Sequence, residues 1–161
     1  MEPKFTIPNY ILASKTTRAL NFIIDIFFIK IITAVFYFIA AFISFNDEYN
    51  SLFDWINSFD KTQNVLLWTI QMFIYYSLFE IISGKTPSKY FTKTAVVLSD
   101  GSKPTVGNML ERSLLRIIPF EYFTFLRGRQ PGWHDAYSKT FVIVKSKLEN
   151  SKKEFLALQK F

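Results

Sequence analysis

The chain has no cysteine, one histidine, five glycines and six prolines in 161 residues. The missing cysteine excludes disulfides, thiolate catalysis and cysteine-ligated zinc or iron–sulfur centres. With His134 the sole imidazole, no paired-histidine metal motif and no catalytic triad can be written, and no nucleophile elbow is present. Gly84-Lys85-Thr86 looks like the end of a phosphate-binding loop, but that loop needs glycine five residues before Gly84 and Phe79 stands there. These absences point away from an enzyme, a cofactor or a metal site. Charge is missing too, over two long stretches.

Half of the residues are hydrophobic, with 19 phenylalanines, yet 20% are charged, so apolar character is gathered into segments. From Ile26 to Phe45 the one charge is Lys30. A helix needs about 20 apolar residues to cross a hydrocarbon core of roughly 30 Å. Val65–Ile82 is long enough as well, spanning roughly 27 Å at about 1.5 Å per residue. The pattern predicts an integral membrane α-helical protein with spans over about residues 20–45 and 64–82. A very greasy soluble bundle would rarely carry two such runs. The opening Met1-Glu2-Pro3-Lys4 does not read as a signal peptide, and the first apolar run is expected to stay as an anchor.

Charge is unevenly placed. Lys4, Lys15 and Arg18 against Glu2 give residues 1–18 a charge of +2. The 46–63 segment carries Asp47, Glu48, Asp54 and Asp60 against Lys61, giving −3. Residues 83–161 hold 14 lysines and arginines against six acids, giving +8. Basic flanks stay in the cytoplasm, so both termini are expected on the cytoplasmic side of the cytoplasmic (inner) membrane, with the acidic segment outside. Tyr49, Trp55 and Trp68 would sit at the outer interface. The basic excess implies contact with anionic lipid in the bilayer; nothing resembles a nucleic-acid reader.

Residues 1–15, broken by Pro3 and Pro8, read as an extended arm, and Ser14–Thr17 can cap the first helix. The 46–63 segment can hold a short helix on the outer face. Tyr90–Leu98, followed by Asp100-Gly101, and Thr140–Val144 are strand candidates; paired, they form a small cytoplasmic β-ribbon, which must lean on helices to be stable. Residues 106–126 are expected as an interfacial or re-entrant helix rather than a third span, which would bury Arg116 and put the basic tail outside. Residues 1–145 thus form one membrane domain, and 146–161 a basic cytoplasmic tail, an amphipathic helix or a loose arm. No internal repeat is evident.

Arg18 and Asp25, seven residues apart, lie within about 20° of each other around a helix, and Asn21 shares their stripe. Such a stripe is a functional site or helix-packing glue. Lys30 lies deeper, where it can reach back to water or pair with Glu80 on the second span as an intramembrane ion pair. His134, beside Asp135, fits a hydrogen-bonded structural role better than a metal or a proton relay.

Arg18-Ala19-Leu20 with Asp25, two spans, Gly84-Lys85-Thr86, Val96-Val97 with Asp100-Gly101, Arg112 with Arg116, Arg129 with His134-Asp135, and Thr140 leading into Val142-Ile143-Val144 together resemble the RDD family of small membrane proteins, over roughly residues 14–145. The arginine and two aspartates of the family's name match Arg18, Asp25 and Asp135. Ser88, Ser113 and Ala136 depart from the family's usual glycine, asparagine and basic residue. The resemblance implies a functional polar cluster of Arg18, Asp25, Arg112, Arg116, His134 and Asp135. It also implies either an accessory or adaptor subunit of a larger membrane complex or, alternatively, an oligomeric cation/proton exchanger. Partners would be other membrane-protein subunits or further copies of the chain.

Overall fold

The computed structural model describes residues 5–46, 51–118 and 132–158. Helix α1 (Lys15–Asn46) starts where the Thr17 N–H donates to Ser14 Oγ at 3.1 Å. Its 32 residues run about 48 Å, five residues earlier at the start than the apolar run alone indicates. A short helix α2 (Ser51–Asn57) turns the chain, its Phe53 N–H donating to Ser44 Oγ. Asp60 and Gln63 then close a capping box on α3 (Lys61–Ser83). Gly84, at φ 68°, ends α3 in the left-handed conformation that only glycine takes without strain.

The two long helices run antiparallel. Asp25 meets Tyr75, Ile29 packs on Met72, Tyr75 and Tyr76, and Thr33 donates to Gln71 Oε1 at 2.8 Å. Both are long and apolar enough to cross a membrane, with mean hydropathies of 2.5 and 1.6. Only 11% and 28% of their most apolar windows are buried within the protein, whereas the core helix of a soluble protein would be mostly covered. The remaining apolar surface belongs against lipid or other helices, and the protein is a membrane protein.

A polar head forms at the end where α1 begins and α3 stops. It comprises α4 (Pro87–Phe91), β1 (Thr94–Leu98), α5 (Val106–Leu115), α6 (Trp133–Tyr137), β2 (Thr140–Val144) and α7 (Lys145–Leu158). β1 and β2 pair antiparallel, with Val96 opposite Val142. The expected helix over 106–126 is helical over Val106–Leu115 and turns after Arg116; its remainder from 119 on lies outside the described residues. The tail adopts the helical alternative, with Lys152 donating to the Gly101 carbonyl and Phe155 set edge-on against Phe5.

The arm does not stay extended and apart. The Ala13 N–H donates to Val142 O and the Ile7 N–H to Ser99 O, so the arm flanks the ribbon, and Ile11 fills a core with Ala95, Val97 and Ile143. This supplies the support that two strands lack alone.

The head contains an internal repeat that is not evident in the sequence. Ser88-Lys89-Tyr90-Phe91-Thr92-Lys93-Thr94 and His134-Asp135-Ala136-Tyr137-Ser138-Lys139-Thr140 both run from a short helix through a lysine at φ 53° or 54° into a strand. The Lys89 N–H donates to Thr86 O, and the Asp135 N–H to Gly132 O, each at 3.0 Å. Because Val96 pairs with its own counterpart Val142, a pseudo-twofold axis passes through the ribbon. Lys89 and Asp135, both buried, are counterparts of opposite charge.

Ile11→Ala is expected to cost about 3 kcal/mol, the usual loss for a fully buried aliphatic side chain, as a lower melting temperature in mild detergent with faster proteolysis of the arm. An unchanged melting temperature would show that the arm does not brace the ribbon.

Candidate functional site

The stripe on the first turns of α1 stitches that helix to the head. Arg18 Nη1 lies 2.5 Å from Asp135 Oδ2 on α6. Asn21 donates to Thr94 Oγ1 at 3.2 Å and accepts from Thr92 Oγ1 at 2.7 Å. Asp25 Oδ1 accepts from the Tyr75 hydroxyl at 2.9 Å and from the Ser88 N–H at 3.3 Å. One helical face thereby contacts α3, α4, β1 and α6.

Glu80, on the last turns of α3, is 1% exposed and sits among three cations. Lys89 Nζ lies 2.7 Å away, and Arg112 Nε and Arg116 Nη2 each lie at 3.4 Å. The two arginines are four apart, Arg112 in the last turn of α5 and Arg116 at its C-cap, and so share a face. The Arg116 guanidinium also lies over the Tyr76 ring, 4.1 Å from its centroid, an attraction that strengthens where water is scarce. Pro87 opens α4, a position its fixed φ suits, and Lys89, two residues on, is buried. Burial pushes its ammonium below the ordinary lysine range, and Glu80 pulls against that shift.

Arg112, fully buried, joins the two carboxylates. Its Nε faces Glu80, while its Nη1 donates to Asp135 Oδ1 and, at 2.5 Å, to Thr140 Oγ1. His134 Nε2 stands 3.5 Å from Asp135 Oδ1, and Ser138 Oγ donates to the His134 carbonyl. Burial pushes Asp135 up, but His134, Arg112 and Arg18 outweigh it and hold the carboxyl well below its usual range. By formal charge Arg18, Lys89, Arg112 and Arg116 outnumber Asp25, Glu80 and Asp135 by one, and a protonated His134 adds to that excess. A cavity of about 40 Å³, lined by Arg18, Asp25, Lys89, Arg116 and His134 among others, is large enough to admit water.

The six residues of the expected polar cluster therefore converge. The expected Lys30–Glu80 pair does not form, and this is a correction. Lys30 is five residues beyond Asp25, about 140° around α1 from the stripe, and it is exposed. Glu80 faces the head instead. Sequence reasoning missed Lys89 and Tyr75. A buried carboxylate at a span end demands a cation nearby, and Lys89, just past a helix-starting proline, was the signal available.

The family model described as the RDD family matches residues 12–139, from the end of the arm to the turn before β2. Neither a curated protein nor a solved structure matches the chain.

Asp135→Asn strands Arg18 and Arg112 beside one another and is expected to cost about 3 kcal/mol at neutral pH, as when one partner of a buried pair is removed. Because the folded Asp135 is held below its ordinary value, its contribution is complete above the unfolded carboxyl pKa of about 4 and fades as pH falls below it. The melting temperature of the parent should drop on acidification below about pH 4, and that of the variant should start lower and fall less. Parallel curves would show that Asp135 does not hold the cluster.

Proposed function

The chain belongs to the RDD family, and on that premise we propose that it is a non-enzymatic accessory or adaptor subunit of a larger complex in the cytoplasmic (inner) membrane, with both termini cytoplasmic. The observation that carries this reading is Lys30. It stands on the outward face of α1, about 7.5 Å further along the helix than Asp25, and no described carboxylate lies within salt-bridge distance of it. Charged groups at such depth usually pair or face a bundle interior. A neighbouring helix bearing an acidic residue at matching depth satisfies Lys30 and covers the exposed apolar faces of α1 and α3. Asp25, Glu80 and Asp135 are meanwhile engaged inside the chain's own cluster.

A second reading, an oligomeric cation/proton exchanger, draws support from Asp25 beside the small cavity. Two helices cannot enclose a pathway, so it requires several copies. The outer halves of both spans lack charged residues, which supports the accessory reading, since conducting paths are marked by ionisable groups.

After gentle extraction, the parent should retain a partner chain that Lys30→Leu loses at least tenfold, with the variant's own melting temperature unchanged. Equal retention, or a more stable variant with no partner in either sample, would mean that Lys30 simply reaches back to water. Sodium- or potassium-dependent proton flux by the purified chain in proteoliposomes, abolished by Asp25→Asn, would replace the accessory reading with the second one.

Single cysteines test the orientation against a cysteine-free background. Ser58→Cys should react with an impermeant maleimide in intact cells, and Ser102→Cys only after lysis. Both sites are exposed in the fold. Labelling of Ser102→Cys in intact cells would reverse the topology.

A further inference from the structure

A groove of about 470 Å³ lies where α3 ends beneath the ribbon, with Glu80 of the charge cluster at one end of its lining. Its apolar walls include Ile82, Val97, Ile143 and Leu148, and its rim carries Lys85, Lys103 and Lys145. We propose that this groove is a binding site for one anionic phospholipid of the bilayer, the phosphate held between Lys85 and Lys145 and the acyl chains laid along the last turn of α3.

Position argues first. Ile81 and Ile82 belong to the final turn of a membrane-crossing helix, and Ile82 is 76% exposed. The groove thus opens onto the surface that faces lipid. Tyr90, on α4, is largely exposed. Lys85 lies 5.3 Å from the Tyr90 ring centroid, an amphipathic pair of the kind that settles at headgroup level.

Charge argues second. No carboxylate lies within salt-bridge distance of Lys85 or Lys145 among the described residues. Burial and the neighbouring Lys145 push Lys85 down to about 8. Two lysines facing each other without a counter-ion are relieved by an anion between them. The amino end of α5, which also lines the groove at Val106, adds the partial positive charge of a helix start. Two acids line the groove, Glu80 and Glu149; Glu80 is held by Lys89, Arg112 and Arg116, and Glu149 sits one turn along α7 from Lys145, so three lysines share the groove with Glu149.

Chemistry argues third. A free phosphate would use the lysines and leave the apolar wall bare, whereas a glycerophospholipid uses both. A juxtamembrane lysine adds about fivefold to the affinity for anionic lipid.

The test is native mass spectrometry of the full chain in nanodiscs of phosphatidylcholine doped with phosphatidylglycerol, with melting temperature measured alongside. The parent should retain phosphatidylglycerol over phosphatidylcholine. Lys85→Gln and Lys145→Gln should each reduce that retention about fivefold, Lys85→Arg should preserve it, and Lys153→Gln, away from the groove, should not change it. Melting temperatures in lipid-free detergent should match the parent's for all four. Equal retention by the glutamine variants, or an equal loss with Lys153→Gln, overturns the site. Inorganic phosphate that displaces the lipid and stabilises the chain equally in pure phosphatidylcholine would make the ligand a free anion and overturn the lipid.

Discussion

A carboxylate cannot be held at a membrane-span end without cations around it. The idealised cost of moving such an ion into a low-dielectric medium is of order 20 kcal/mol. Glu80 is in that position, and three separate contacts meet its need: Lys89 from α4, and Arg112 and Arg116 from α5. Since those elements flank a ribbon, satisfying one glutamate places much of the head beneath the spans. Arg112 then passes the constraint on. Its second contact fixes Asp135, and Asp135 fixes Arg18 at the root of α1. The chain of charges closes a loop from α3 through α5 and α6 back to α1, which explains how two long helices with little mutual burial keep one relative placement.

The pseudo-twofold of the head fits this electrostatic scheme. Each half supplies a short helix, a left-handed lysine (Lys93 or Lys139) and a strand. Left-handed backbone is unfavourable for a lysine, and both halves accept it at the same point, where the short helix must turn into the ribbon. The inward position of each short helix carries opposite charge. Lys89 answers Glu80 on α3, and Asp135 answers the arginines of α1 and α5. A strictly symmetric pair would place like charges in one buried region and raise the desolvation cost without the compensating attraction.

The spans were legible because hydropathy over 20 residues reports on the solvent directly, and the strands because β-branched runs end at turn residues. The cluster's membership was legible through the ordered motif of Arg18, Asp25, Arg112, Arg116 and His134-Asp135. What stayed hidden depends on angle and on contacts distant in sequence. Lys30 and Glu80 share a depth by residue count, but helical phase points Lys30 away from the stripe. Ile11 gave no periodic signal in an arm broken by prolines, and its burial follows from the ribbon's need for a third layer. The repeat escaped notice because its halves share burial pattern and backbone more than residue identity: Lys89 matches Asp135, and Ser88 matches His134.

Spent internally, these charges leave the outward faces of the spans and the groove beneath α3 as the surfaces open to other molecules, so the central claim is that Arg112 binds the two carboxylates into one unit. A double-mutant cycle on Glu80→Gln and Asp135→Asn, read as unfolding free energy in mild detergent, measures it most directly. Either single change leaves Arg112 one carboxylate, and the double change leaves it none. The expected result is a loss in the double variant that exceeds the sum of the single losses by about 1–3 kcal/mol. Additivity to within about 0.5 kcal/mol would show two independent ion pairs and contradict a single closed network.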